Sequence, residues 1–118
     1  MSRKEGSQAE DAAKKYLTQQ GLRFLDSNYS CRWGEVDLIM QDGDYLVFVE
    51  VRARKSSLYG DAASTVTASK QQRIIKTALH YMMVKKINNK YPVRFDVIAI
   101  QGGQSAIDWI KNAFTGEY

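Results

Sequence analysis

The chain has 118 residues, 44% of them hydrophobic, enough for one compact domain over residues 1–118 and too few for two ordinary ones. Its longest apolar run, Leu46 to Val51, is interrupted by Glu50 and falls far short of the roughly 20 residues a membrane-spanning helix requires. Seventeen basic against 13 acidic residues give a net charge of +4, a mild excess that suits a polyanionic partner without forming a basic tail.

The single cysteine, Cys31, excludes an intramolecular disulfide, and the polar start of the chain, Met1 to Glu5, lacks the apolar stretch of a secretory leader. A cytoplasmic location is therefore expected. Ala9, Ala12, Ala13, Tyr16 and Leu17 recur at helical spacing and predict an amphipathic helix over residues 7–20, ended by Gly21. Ser7 with Glu10 three residues on matches a capping box, in which the Glu10 side chain reaches back to the N-cap amide. Leu22 to Asp26 reads as a short strand and Ser27 to Trp33 as a polar connection.

β-Branched and aliphatic residues then run from Glu35 to Met40 and from Tyr45 to Arg52, on either side of Asp42-Gly43, which predicts a β-hairpin. Residues 56–68 read as a loop. A second helix is expected from near Ser69, with Gln72 completing a capping box, Ile75, Ala78, Leu79, Met82 and Ile87 buried, and Lys70, Arg73, Lys76, Thr77 and His80 on the outer stripe. Asn88 to Pro92 is a turn, Val93 to Ile100 a largely buried strand, and Gly102-Gly103 another turn. Ser105 to Ile110 fits either a last strand or a short helix carrying Trp109, followed by a tail from Asn112 to Tyr118. The class is α/β: a mixed β-sheet containing an antiparallel hairpin, flanked by helices, in αβββαβ order.

A two-residue Asp42-Gly43 turn pairs Gln41 with Asp44, Ile39 with Leu46, Asp37 with Phe48 and Glu35 with Glu50. Glu35, Asp37, Phe48, Glu50 and Arg52 then share one face, with Val36, Leu38, Val47, Val49 and Val51 on the other. Asp37 and Glu50 become diagonal neighbours whose carboxylates can meet over one ion. Like charges within an apolar hairpin are costly unless they are paired or hold a cation. One solution is a structural network with Arg52, Arg54 or Arg94. The other is a hard cation, since carboxylates without a usable Cys and His set favour Mg²⁺ or Mn²⁺ over Zn²⁺.

Four stretches are specific together: Gly34-Glu35-Val36-Asp37-Leu38-Ile39, Val47-Phe48-Val49-Glu50-Val51-Arg52-Ala53-Arg54, Lys70-Gln71-Gln72-Arg73 and Arg94-Phe95-Asp96-Val97. In order and spacing the set resembles the bacterial YraN family over nearly the whole chain, and that family is similar to the PD-(D/E)XK nuclease superfamily and to archaeal Holliday-junction resolvases. The resemblance implies a restriction-endonuclease-like core in which Asp37 and Glu50 are metal ligands and Glu10 is the helix-borne acid. It places Lys70 or Gln71 where some members carry a further polar active-site residue, and it implies a homodimer.

Arg52 departs from the pattern, standing where the motif has lysine. Guanidinium can clamp a phosphate but is always protonated and does not adjust its proton as an ammonium can. Lys55 or Lys70 could take the missing role. Two expectations follow: a Mg²⁺-dependent endonuclease acting on structured DNA through Asp37, Glu50, Arg52 and Glu10, or a nucleic-acid-binding module that has lost cleavage. A protein-interaction adaptor, a third class, leaves the hairpin acids without a role. Lys70, Gln71, Arg73 and Arg54 are the expected nucleic-acid contacts. Trp33 and Tyr29 beside Arg32 have the chemistry to stack on an unpaired base, His80 reads as a surface or boundary residue, and Cys31 as an inert thiol.

Overall fold

The computed structural model describes residues 3–54, 66–101 and 106–115. In chain order these form α1 (Arg3–Gln19), β1 (Arg23–Cys31), β2 (Gly34–Asp42), β3 (Tyr45–Arg54), α2 (Ala68–Val84), β4 (Val93–Gln101) and β5 (Ala106–Phe114). The strands make one five-stranded sheet in sequence order, and the only parallel pairing is β3 with β4. That pairing follows from α2, because parallel neighbours need a long crossover whereas the other neighbours are joined by only a few residues.

Each helix covers one face. Ala9, Ala13 and Leu17 of α1 pack on Leu38, Met40, Val47, Val49, Val51, Ile98 and Ile100. On the other face Ile74, Ile75, Ala78, Tyr81 and Met82 of α2 pack on Ile39, Leu46, Phe48, Phe95, Val97 and Phe114. The α/β class and the antiparallel hairpin agree with the sequence reading. No helix among the described residues is long and apolar enough to cross a membrane.

Several boundaries differ from expectation. α1 starts at Arg3, so Ser7 lies within the helix rather than capping it. β1 runs unbroken through the stretch read as a polar connection, because pairing with β2 supplies the hydrogen bonds that its polar side chains did not signal. β5 extends into the expected tail as far as Phe114, giving an αβββαββ order. α2 is capped by Thr67, whose side chain accepts the Lys70 amide at 3.2 Å, in place of the Ser69 and Gln72 pair. Thr77 is fully buried and Leu79 exposed, the reverse of the periodicity reading. The Thr77 hydroxyl donates to the Arg73 carbonyl at 2.8 Å, which makes its burial tolerable. The loop over residues 56–65, Lys55, the Arg54 side chain and the Gly102-Gly103 turn lie outside the described residues.

The hairpin register also shifts. Asp42 pairs with Tyr45 and Gln41 with Leu46, so the loop residues are Gly43 and Asp44. Its first position needs a positive φ, and Gly43 supplies it at 58°. The slip is two residues, which leaves each β3 side chain on its face while moving Asp37 from diagonal to directly opposite Glu50 when the register is continued.

A candidate metal centre where two strands part

The β2–β3 pairing ends at Leu38 and Val49. Past that point the Val51 amide donates to Asp37 Oδ2 at 2.8 Å, so a carboxylate takes an amide within the strand. Side-chain alternation in β2 also breaks here. Val36 packs under α2, yet Leu38 and Met40 pack under α1. The expected grouping of Val36 with Leu38 on one face is therefore corrected, and Glu35 reaches the α1 side. The partner position in β1 is Asn28, between the pairs Ser27–Leu38 and Tyr29–Val36. Asn28 has φ of 50°, a left-handed conformation that a short polar side chain tolerates best, and it marks the point about which the two strands change phase.

Three acids converge on this point. Glu10 from α1 and Glu35 and Asp37 from β2 each bring one carboxylate oxygen within 4.8 Å of the others. Asn28 Nδ2 donates to Glu10 Oε1 at 2.8 Å and to Glu35 Oε1 at 3.1 Å. Glu50, buried in β3, neighbours Asp37 and forms ion pairs with Lys70 Nζ at 3.4 Å and an Arg52 terminal nitrogen at 3.6 Å. Burial first, then the Glu50 charge, push the Asp37 carboxyl up to about 8; the Val51 amide opposes this, while the Glu50 side chain and the Glu10 charge add to it.

Of the acids named from the sequence, Glu10 and Asp37 meet in this cluster, and Glu50 adjoins it through Asp37. Glu35, counted on the same face as Asp37 but given no ligand role, joins them, and no local signal marked it, because it reaches the α1 side only through the break in alternation. Arg52 and Lys70 both face Glu50. Gln71 is turned elsewhere, its Nε2 donating to the Val66 carbonyl at 3.0 Å, and Arg73 lies exposed further along α2. Gly34 lets the β1–β2 turn approach that helix: a Cβ there would sit 3.3 Å from Arg73 Cβ and 3.4 Å from Thr77 Oγ1. Tyr29 is committed to the core, with its hydroxyl 2.6 Å from His80 Nδ1 and its ring edge-to-face with Tyr81. Trp33 is exposed, with Arg32 and Lys76 over its ring. Cys31 Sγ contacts Thr77 Oγ1 at 3.8 Å.

Asp96 is the counterexample. It is fully buried, yet Arg94 binds it through two nitrogens, and Trp109 Nε1 and the Asn112 amide donate to it as well, all at 2.9 Å. Arg94 also meets Asp42 at 3.0 Å. This is the structural network that the sequence offered as an alternative for Asp37 and Glu50, and it is built around Asp96.

The architecture is that of an α/β protein with a helix-covered mixed sheet and an acidic cluster at the fork between two central strands. Residues 9–100 match the model of the family described as "Uncharacterised protein family UPF0102". A UPF0102 protein of Legionella pneumophila strain Philadelphia 1 is 48% identical over 114 residues, covering 97% of each chain. One from Saccharophagus degradans is 54% identical over 110 residues, covering 93% of this chain and 92% of its own. One from Nitrosomonas europaea is 49% identical over 110 residues, covering 92% of each. The chain belongs to the UPF0102 family, the one its motifs resemble under the name YraN.

Proposed function

We propose that the chain is a divalent-metal-dependent nuclease acting on phosphodiester bonds of structured DNA, with the ion held by Asp37, Glu10 and Glu35 and adjoined by Glu50. The observation that carries this reading is the position of Asp37, whose half-buried carboxyl stands among three other acids and is pushed up to about 8. A protein that needed only an ion pair has the Asp96 arrangement available; among the described residues Asp37 has no such ion pair, and its carboxyl gains most from a cation.

The donor set fits a hard cation. All its atoms are carboxylate oxygens, and opposite ligands of Mg²⁺ lie about 4.2 Å apart, so oxygens already within 4.8 Å need only small side-chain rotations to share one ion. Such an ion neutralises charge on a phosphate and activates water. The protein's own part is positioning. Asn28 fixes the Glu10 and Glu35 carboxylates and the Val51 amide fixes Asp37. Arg52 has the geometry to clamp the scissile phosphate. Lys70 supplies, from α2, the ammonium that the motif carries at the Arg52 position, since both cations meet the same Glu50 oxygen. Arg73 and Lys76 continue a basic stripe for the nucleic-acid backbone.

The test is Mg²⁺- or Mn²⁺-dependent cleavage of labelled single-stranded, duplex, flap and four-way-junction DNA, with Asp37→Asn and Glu50→Gln proteins purified in parallel. Cleavage that both substitutions abolish supports the enzyme. If no substrate is cut, or all three proteins cut alike, the catalytic reading fails. The second reading, a nucleic-acid-binding module that keeps the metal centre without cleavage, draws on Arg52 in place of lysine. It predicts metal-dependent DNA binding by the wild type and cleavage gained by Arg52→Lys.

A further inference from the structure

Beyond the C-terminal end of α2 lies a groove of about 310 Å³, lined by Leu79, Met82, Asn88, Asn89, Tyr91, Pro92 and Val93. α2 rises about 1.5 Å per residue, which puts Leu79 roughly 13 Å along the axis from Lys70, away from the acidic centre. The apolar surface around the groove is open to solvent, with Met83 59%, Val84 54%, Tyr91 41% and Leu79 37% exposed. The segment after the helix is held in shape. Lys86 and Ile87 donate their amides to Met83 and Met82, Lys90 donates to Ile87, and Lys86 and Asn89 both take φ of 60°. A recess formed this way loses little conformational freedom when it is filled.

Through this stretch of the chain the charge has one sign, while the neighbouring β2–β3 turn carries Asp42 and the exposed Asp44. Between Asp61 and Asp96 the chain carries seven lysines and arginines and no acid. Lys85, Lys86 and Lys90, all exposed, belong to the segment that frames the groove. Asp42, at the neighbouring β2–β3 turn, is engaged by Arg94. An apolar recess flanked along the chain by exposed lysines is complementary to carboxylates flanking an apolar side chain.

We propose that this groove docks a short acidic peptide segment of a partner protein, whose apolar side chain enters between Leu79, Met82 and Val93 while its carboxylates meet Lys85, Lys86 and Lys90. The Asn88 and Asn89 amides are placed to pair with the peptide main chain. The lining is the reason for choosing a peptide over a single nucleic-acid strand. Strand-binding surfaces stack bases on several aromatic rings, and Tyr91 is the one ring among these lining residues.

The test uses the intact protein and a fluorescein-labelled nine-residue peptide in which aspartates flank a central Phe-Leu pair. Its controls are an all-aspartate peptide of equal length and a labelled oligothymidylate. Fluorescence anisotropy reads affinity, and amide shifts in the ¹⁵N-labelled protein read the location. The expected result is saturable binding with shifts centred on residues 79–93. Affinity falls about tenfold or more for Leu79→Glu, for a triple Lys85, Lys86 and Lys90 to Glu variant, and for the all-aspartate peptide. Three results overturn the proposal: no binding of the Phe-Leu peptide, equal binding of the all-aspartate peptide, or oligothymidylate displacing the peptide while shifting the same amides. Cleavage plays no part in these readouts, so the groove stands or falls independently of the metal centre.

Discussion

Asp37 accepts the backbone amide of Val51 at 2.8 Å, just past the last β2–β3 pair, Leu38 with Val49. The bond holds the acid at the fork but cannot offset three neighbouring carboxylates, so the metal-free protein is strained at this residue. Replacing Asp37 with Asn keeps an oxygen for Val51 and removes the charge. The Asp37→Asn protein is expected to melt higher than the wild type at neutral pH without metal, and to lose the stabilisation that Mn²⁺ gives the wild type. Differential scanning fluorimetry with and without Mn²⁺ checks both; a lower melting point for the variant in EDTA refutes the strain.

The same residue sets a pH dependence. Asp37 is held protonated in the folded state up to about 8, whereas the unfolded chain releases that proton near the ordinary carboxyl value of 3.8. The folded state therefore binds more protons between these limits, and stability falls as pH rises through that window. The loss is on the order of a few kcal/mol between pH 5 and pH 8. Urea unfolding in EDTA across this range should show the decline in the wild type and a flatter profile in Asp37→Asn. Millimolar Mn²⁺ should remove most of it.

Asp96 gives the opposite sign for the same chemical change. Its oxygens receive Arg94, Trp109 and the Asn112 amide in full burial, so an amide group in their place turns a donor toward donors and leaves Arg94 short of its counter-ion. Asp96→Asn is expected to cost about 3–5 kcal/mol, a large part of a small domain's stability. A urea midpoint within error of the wild type would refute this.

Lys70 and Arg52 separate by role. If Lys70 supplies the adjustable ammonium, Lys70→Met lowers cleavage roughly 100-fold or more while leaving the Mn²⁺-induced rise in melting temperature intact. Arg52→Lys retains cleavage or raises it. Single-turnover rates on the preferred substrate decide, and equal rates for Lys70→Met and the wild type remove Lys70 from the mechanism.

Asn28 combines a left-handed backbone with a bridging amide, and two substitutions part these contributions. Asn28→Gly loses only the bridge, whereas Asn28→Ala also places a Cβ in a conformation that costs about 1 kcal/mol. The alanine protein is expected to be the less stable by that amount. Both should bind Mn²⁺ more weakly, as read by isothermal titration calorimetry.

Much of the fold was legible because the core strands and helices carry regular apolar periods. Leu38, Val47, Val49 and Val51 alternate cleanly, and Ala9, Ala13 and Leu17 recur as a helix face. β1 was shortened because Ser27, Asn28 and Ser30 sit on an edge strand, where pairing with β2 does the work that side-chain hydrophobicity does elsewhere. Asp37 and Glu50 could be named as acids in improbable places, and Glu10 from the resemblance. The phase change at Asn28 could not, since nothing local distinguishes a left-handed asparagine from one in a turn, and that change is what brings Glu35 to the α1 side. The separation of Asp96 from the acidic cluster was equally hidden, because its partners Trp109 and Asn112 lie on β5, a strand that the sequence left unresolved.

The fork has a mechanical consequence. α1 and α2 lie on opposite faces of the sheet, each with its own apolar layer, and the acidic centre receives Glu10 from one layer and adjoins Lys70 from the other. An ion seated there acts as a rivet through the sheet, fastening both layers at a single point. Ligand binding stabilises every part of a structure that must be intact for it to occur, so slowed hydrogen exchange is expected in both helices together, including the half of the molecule that contributes no carboxylate from its own helix.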